Sequence, residues 1–142
     1  MRDVVIVDSV RTGLTKAFRG SFNLTRSDDM LAHCIDSLLD RNPNLSPEEV
    51  EDVVVGAATH AGEQDGNLAR LAVVLSKLPI TVAGVSINRF CSSGLQAIAI
   101  AANQIASGQT EVAIAGGVDS ISMRTRQELS LIHISEPTRL EL

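Results

Sequence analysis

Short apolar runs that end at glycine or at a turn residue alternate along this chain with segments of helical periodicity. Residues 53–55, 81–87 and 112–115 have the β-branched, apolar character of buried strands. Apolar residues recur at helical spacing over Ser27–Arg41, and residues 92–107 form a long alanine-rich helical pattern. Because strand–helix alternation with apolar strands is typical of a parallel sheet covered on both faces, the sequence predicts an α/β fold.

Local signals indicate the remaining elements. Residues 4–7 form a further apolar run and predict a first strand, whereas residues 11–26 have the turn-forming composition of an irregular surface loop. Asn67 is expected to cap a helix over residues 68–77. Gly108 is placed to end the long alanine-rich helix.

Composition and charge exclude several functional classes. The 142 residues are 44% hydrophobic, enough for one core, but only 2% aromatic, and the net charge of −5 includes no run of Lys or Arg. Binding to nucleic acid or to an anionic membrane is therefore not expected. No apolar stretch approaches the ~20 residues of a membrane span. Because no signal peptide is recognisable, a cytoplasmic location is expected.

Cys91 lies where the predicted strand over residues 81–87 gives way to the long helix. Backbone N–H groups and the positive end of a helix dipole favour a thiolate at such a position. The small neighbours Ser92, Ser93 and Gly94 leave room for a substrate carbonyl. A strand-to-helix turn often carries a catalytic nucleophile, but free cysteines are also common as small buried core residues. Position alone leaves both interpretations open.

Other candidate residues have stronger structural than functional interpretations. Cys34 falls on the core-facing side of its predicted helix, and His33 beside it falls at the surface or boundary. His60 follows a predicted strand, where open α/β sheets often place active-site residues, but the sequence indicates no partner for it. Gly116 and Gly117 also follow a strand and most simply permit close backbone passage. With two cysteines and no zinc-ligand spacing, neither a disulfide framework nor a metal site is predicted.

Four ordered segments carry a resemblance to a known family. They are residues 8–12 (DSVRT), 62–70 (GEQDGNLAR), 88–96 (NRFCSSGLQ) and 116–122 (GGVDSIS). Together they resemble the N-terminal half of a thiolase over about residues 1–128, and the NRFCSSG form is most similar to the degradative 3-ketoacyl-CoA thiolases. Gly13 stands where the family often has proline, which alters a loop and leaves the cysteine segment intact.

The resemblance implies a fold and a reaction. The implied fold is α/β, one thiolase-type half with a mixed, layered sheet between helices on both faces, truncated before its last strand. The implied reaction is thiolytic cleavage of a 3-ketoacyl-CoA in fatty-acid β-oxidation. Cys91 would be the acyl-thioester nucleophile, and its main-chain N–H an oxyanion donor. Coenzyme A would be a co-substrate with no permanently bound cofactor, acyl-CoA thioesters the binding partners, and the intact parent a homo-oligomer, dimer or tetramer.

Part of the family's catalytic set is absent from the sequence. The second half of a thiolase carries a Gly-His-Pro segment, a second reactive cysteine and an Asn-containing segment, and none of these occurs in residues 1–142. The resemblance therefore implies negligible thiolysis by this chain alone. Two alternatives stay open: another condensing enzyme of the superfamily, such as a ketoacyl synthase, and a non-catalytic acyl-CoA-binding or interaction fragment.

The final segment breaks the pattern of alternating elements. Residues 129–139 (LSLIHISEPTR) resemble the peptide obtained by translating a transposase-end adapter used in sequencing libraries. The alternative is an ordinary C-terminal tail. From the resemblance to adapter sequence, we predict an incomplete thiolase N-terminal domain over residues 1–128 and a non-native tail over residues 129–142. His133, which lies in this tail, is expected to have no functional role.

Overall fold

Three parallel strands form the sheet in the structure, a computed structural model that describes residues 1–123. They are β1 (Asp52–Gly56), β2 (Ala83–Ile87) and β3 (Ala113–Gly117), in the order β2-β1-β3. Val54 in the centre of β1 lies opposite Val85 and Ala115. The described sheet is parallel throughout, so the mixed sheet implied by the resemblance is not found within residues 1–123.

Three α-helices cover the two faces of this sheet. Helices α1 and α2 pack together on one face, and α3 packs on the other, which confirms the layered α/β architecture. Helices lie on both faces as predicted, but only β1 is a buried strand: every described residue of the edge strands β2 and β3 is half-buried or exposed. The helices are α1 (Ser27–Arg41), α2 (Leu68–Leu75) and α3 (Ser93–Ala106), with short 3₁₀ turns at Pro47–Glu49, Gly62–Gln64 and Phe90–Ser92.

Local sequence signals set most helix boundaries. Asn67 caps α2 as predicted, because its side-chain oxygen accepts the Arg70 N–H at 3.0 Å. Gly108 follows α3 with φ of +77°, the left-handed conformation that glycine supplies at a helix end. Helix α2 ends two residues before the predicted boundary, because the N–H of Lys77 donates to the Asp36 carboxylate of α1 at 2.7 Å.

The predicted first strand over residues 4–7 is wrong. Residues 1–16 have no regular secondary structure, and residues 5–7 are more than three-quarters exposed. An apolar run becomes a strand only where it pairs with a neighbouring strand, and residues 4–7 pair with none of the three described strands. The segment is attached through polar contacts instead: Arg2 donates its N–H to the end of α3, and Asp8 forms an ion pair with Arg41.

The two faces of the sheet have different cores. On the α1–α2 face, Val53 and Val55 of β1 pack with buried leucines and valines of the helices, among them Leu68. On the α3 face, Val54 packs with Ala97 and Ala101. Since side chains alternate along a strand, β1 contributes to both cores, but it meets large side chains on one face and small ones on the other.

Candidate active site

Cys91 lies at the junction of β2 and α3. It is the central residue of the 3₁₀ turn Phe90–Ser92, which passes directly into α3 at Ser93. Its side chain is exposed. The structure therefore places this thiol at the helix start that the sequence predicts, and it contradicts the alternative of a small buried core residue.

The turn that presents Cys91 has an unusual backbone conformation. Phe90 has φ of +49°, in the left-handed region that residues other than glycine rarely occupy. Ser93, which is 2% exposed, donates its hydroxyl to the Phe90 carbonyl at 2.6 Å and accepts the Arg89 N–H at 2.8 Å. The side chain of Asn88 accepts the Phe90 N–H at 2.8 Å. Both backbone polar groups of Phe90, its N–H and its carbonyl oxygen, are thus held by side chains.

Glycines let the first turn of α3 lie directly on the ends of two strands. A Cβ atom at Gly56 would stand 2.2 Å from the backbone C and O of Ser93, and one at Gly117 would stand 2.8 Å from the Gly56 carbonyl oxygen. The close passage predicted for Gly117 is therefore confirmed. It does not hold for Gly116, where a Cβ atom would meet no described atom within 4 Å.

A carboxylate ties the ends of β1 and β3 together beside this turn. Asp119 accepts the Ala58 N–H at 2.9 Å, the Thr59 N–H at 3.2 Å and the Gln64 side-chain amide at 3.0 Å. Gln64 is 2% exposed, and its carbonyl oxygen accepts from Ser27 on α1 at 2.6 Å. The sequence does not predict this network, although the segments that hold Gln64 and Asp119 are two of the four segments that resemble the thiolase family.

His60 has a structural position. Its Nε2 lies 2.9 Å from the Ala57 carbonyl oxygen and 3.3 Å from that of Ile87. Because both neighbours accept hydrogen bonds, Nε2 carries the proton and donates it. The side chain thereby joins the ends of β1 and β2, and this nitrogen is not available as a base.

The other candidates lie away from Cys91. His33 is exposed and Cys34 half-buried on α1, which covers the sheet face opposite α3. Burial raises the pKa of the Cys34 thiol, so this residue is the less reactive thiol expected of a packing position. Within residues 1–123, no cluster of His, Cys, Asp and Glu could hold a metal ion. No helix in this described part combines the length and apolar character that crossing a membrane requires.

Comparison with known proteins identifies one family, and the relatives belong to it. The family model for the thiolase N-terminal domain matches residues 4–138. The β-ketoadipyl-CoA thiolase of Pseudomonas putida is 44% identical over 122 residues, which are 86% of this chain and 30% of that protein. The 3-oxoadipyl-CoA/3-oxo-5,6-dehydrosuberyl-CoA thiolase of Escherichia coli K12 is 43% identical over 122 residues, with the same coverage.

A third relative carries a more general name. The 3-ketoacyl-CoA thiolase of Pseudoalteromonas atlantica is 40% identical over 119 residues, which are 84% of this chain and 31% of that protein. The chain thus spans about 30% of the length of the curated relatives it matches. The predicted boundary at residue 128 and the predicted tail lie outside the described residues.

Proposed function

The chain belongs to the thiolase family, and from that membership we propose that it is the nucleophile-bearing part of an acyltransferase that cleaves 3-ketoacyl-CoA thioesters. The observation that carries the proposal is the exposed thiol of Cys91 at the start of α3. A buried thiol, or one in the middle of a helix, would not meet a substrate carbonyl.

The proposed reaction has two covalent steps. The Cys91 thiolate attacks the ketone carbon of the substrate, and the bond between C2 and C3 breaks. The electron pair goes to C2, which takes a proton and leaves as acetyl-CoA, while the remaining acyl group stays on sulfur as a thioester. The thiolate of free coenzyme A then attacks this thioester, releases the shortened acyl-CoA and regenerates Cys91 in a ping-pong cycle.

The described residues support two requirements of this chemistry. An attacking sulfur needs open space, and Cys91 and Ser92 are exposed at the surface. Negative charge that develops on the attacked carbonyl oxygen needs a donor, and the main-chain N–H of Cys91 lies next to the N-terminus of α3, where the helix dipole favours negative charge.

The reaction has two further requirements, a base and an acid. These must be supplied by residues that lie outside the portion of the relatives that this chain matches. A free thiol has a pKa of about 8.5, so efficient attack near neutral pH needs a base, and the departing enolate needs an acid. His60 does not supply the base through Nε2, which donates to backbone carbonyls. We therefore propose that the 142-residue chain alone has negligible thiolase activity.

The substrate class is a 3-ketoacyl-CoA. The relatives are named for β-ketoadipyl-CoA and for 3-ketoacyl-CoA in general, and the former is a 3-ketoacyl-CoA whose acyl chain ends in a carboxylate. A degradative role of the β-oxidation type, a homo-oligomeric parent and a cytoplasmic location complete the proposal. The second candidate is a non-catalytic fragment, and the exposed Cys91 favours the catalytic one.

Alkylation of the two cysteines tests the proposal. The chain is treated with limiting iodoacetamide at pH 7 to 9, and each thiol is followed by peptide mass spectrometry. We expect Cys91 to react about tenfold faster than Cys34, because Cys34 is half-buried with a raised pKa. A Cys91 thiol that reacts no faster than Cys34 would favour the non-catalytic fragment. Measurable turnover of acetoacetyl-CoA by the chain alone would contradict the proposed dependence on missing residues.

A further inference from the structure

The conformation of Phe90 requires a physical cause. A left-handed backbone at a residue other than glycine is sterically strained and persists only where surrounding contacts impose it. The ring of Phe90 is 75% exposed, so burial of this side chain does not impose it. The cause must lie in the hydrogen bonds of its backbone.

Two side chains hold this backbone: Ser93, whose hydroxyl donates to the Phe90 carbonyl at 2.6 Å, and Asn88, which makes two hydrogen bonds. Its Oδ1 accepts the Phe90 N–H at 2.8 Å, a local contact two residues along the chain. Its Nδ2 donates to the carbonyl oxygen of Ala58 at 3.2 Å, a contact with the loop that follows β1. One side chain thus joins the turn that presents Cys91 to the end of the neighbouring strand.

The backbone of Ala58 makes a second hydrogen bond, through its N–H. Its N–H donates to the carboxylate of Asp119, beyond the end of β3, at 2.9 Å. The carboxyl ends of all three strands are therefore linked through Asp119, Ala58 and Asn88 to the N–H of Phe90. Since β1 is the central and most deeply buried strand, this linkage ties the turn to the core of the sheet.

We propose that Asn88 is a positioning residue that holds Phe90 in the left-handed conformation and so keeps the Cys91 thiol exposed at the start of α3. This inference rests on the proposed function, because the thiol matters only if it reacts. Asn88 acts through the Phe90 peptide and through Ala58.

A matched pair of variants of the 142-residue chain tests this role. Asn88→Ala removes both hydrogen bonds. Asn67→Ala removes a similar set of hydrogen bonds at the start of α2, since Asn67 accepts the Arg70 N–H at 3.0 Å and the Ser86 hydroxyl at 3.3 Å and donates to the Gly84 carbonyl at 2.8 Å. The readouts are hydrogen exchange of the Phe90 amide, and the ratio of Cys91 to Cys34 alkylation rates by iodoacetamide between pH 7 and 9.

The two variants have different expected outcomes. Asn88→Ala should speed exchange of the Phe90 amide about tenfold and lower the alkylation ratio about tenfold, because an unpaired amide no longer holds the turn. Asn67→Ala should leave both readouts within about twofold of the unmodified chain, although it removes a helix cap. Unchanged values of both readouts in a folded Asn88→Ala variant would overturn the assignment.

Two further variants make the test specific. Adding Phe90→Gly to Asn88→Ala should restore most of the alkylation ratio, because glycine adopts positive φ without steric strain. Failure of this rescue in a folded variant would count against a role exerted through Phe90. If Asn88→Ala does not fold, Asn88→Ser keeps an acceptor for the Phe90 N–H but does not span the distance to Ala58, and it should give intermediate values of both readouts.

The same experiment separates the two proposals. If Cys91 in the unmodified chain reacts no faster than Cys34, the proposed function fails. Exchange of the Phe90 amide then decides the role of Asn88 by itself: faster exchange in Asn88→Ala supports the assignment, and unchanged exchange overturns it. If Cys91 is the faster thiol and Asn88→Ala leaves both readouts unchanged, only the role of Asn88 fails.

Discussion

The two faces of the sheet are built in different ways. The α1–α2 face buries large aliphatic side chains, including Leu68 with no exposed surface, whereas the α3 face buries Ala97, Ala101 and one valine of β1. On the α3 side, glycines at the strand ends bring the helix backbone close to the strand backbone. The outer side of α3 still exposes Leu95 by 72%.

Because of this difference, one face mainly stabilises the fold and the other mainly positions the Cys91 thiol. Large buried side chains stabilise the fold in proportion to the apolar area they remove from water, so the α1–α2 face supplies most of that free energy. Small residues contribute less area but let two backbones approach closely, which fixes the position of the first turn of α3. Because Cys91 lies in the turn immediately before α3, the second face determines where the thiol is held.

The largest expected effect comes from filling the closest approach. Gly56→Ala would place a Cβ atom 2.2 Å from the Ser93 backbone, so α3 must move away from the sheet. We expect a loss of about 4 kcal/mol in the free energy of unfolding, or failure to fold. Urea denaturation measures the loss, with Gly116→Ala as the control because its Cβ would meet no described atom within 4 Å. Equal stability of the two variants would contradict the close contact.

A cavity on the other face should rank next. Leu68→Ala removes a fully buried side chain from the α1–α2 core and should lower the free energy of unfolding by about 3 kcal/mol. Leu95→Ala is the matched control, since this side chain is largely exposed. If the division between the faces is correct, the alkylation rate of Cys91 itself stays unchanged in the folded fraction of Leu68→Ala. A selective loss of Cys91 reactivity there would break the comparison.

Enlarging an alanine should affect the α3 face more moderately. Ala97→Val adds volume between α3 and β1 and should lower the free energy of unfolding by about 2 kcal/mol, because Ala97 has no exposed surface and packs against Val54 of β1. Ala99→Val introduces the same side chain at an exposed position of the same helix. The two thermal unfolding midpoints test the prediction, and midpoints that do not differ would show that the α3 face tolerates larger residues.

The smallest effect concerns a polar contact outside both cores. Hydrogen bonds from Asn42 and from the Ser9 N–H, together with the charge of Arg41, hold the pKa of Asp8 below its ordinary value of 3.8. Since the folded pKa is the lower one, this contact stabilises the fold above pH 3.8, and its contribution is lost as the pH falls through the folded pKa. Asn42→Ala should raise the pKa of Asp8.

Titration of the Asp8 carboxyl carbon by NMR checks that shift. Asn44→Ala changes an exposed asparagine two residues further along and should leave the Asp8 titration unchanged. Identical Asp8 titration curves in Asn42→Ala and in the unmodified chain would refute the role of this hydrogen bond.

Elements set by local patterns were predictable from the sequence. Helix α1 has the predicted bounds Ser27–Arg41, because its buried positions recur at helical spacing. The predicted run over residues 53–55 forms the strand β1, because these residues are buried between two strands and two helical layers. The strand extends the run by one residue at either end. The place of Cys91 at the start of α3 follows from the same strand-to-helix pattern, whereas its exposure does not, because that pattern is compatible with a buried thiol as well.

Contacts between residues distant in the chain were not predictable. Residues 4–7 have the composition of a strand, but a strand also needs a partner, and periodicity carries no information about that. The hydrogen bonds of Asn88 to Ala58 and of Ala58 to Asp119 join residues 30 and 61 positions apart. Such a linkage exists only once the sheet brings the strand ends together, so no local signal in the sequence specifies it.

The predicted tail has its own test. We propose that the native coding sequence stops near Glu128 and that residues 129–142 derive from adapter DNA. Sequencing the source locus should show native codons that diverge from the present sequence after residue 128. A genomic sequence that encodes residues 129–142 would contradict this proposal.

Capture of the acyl group tests the central claim most directly. Residues 1–128 are joined to the remaining part of the Pseudomonas putida β-ketoadipyl-CoA thiolase, the joined protein is mixed with a 3-ketoacyl-CoA in the absence of free coenzyme A, and the product is digested for mass spectrometry. We predict an acyl thioester on Cys91 that free coenzyme A removes and that Cys91→Ser abolishes together with turnover. Acylation at a different residue, or turnover that survives Cys91→Ser, would contradict the assignment of Cys91 as the acyl acceptor.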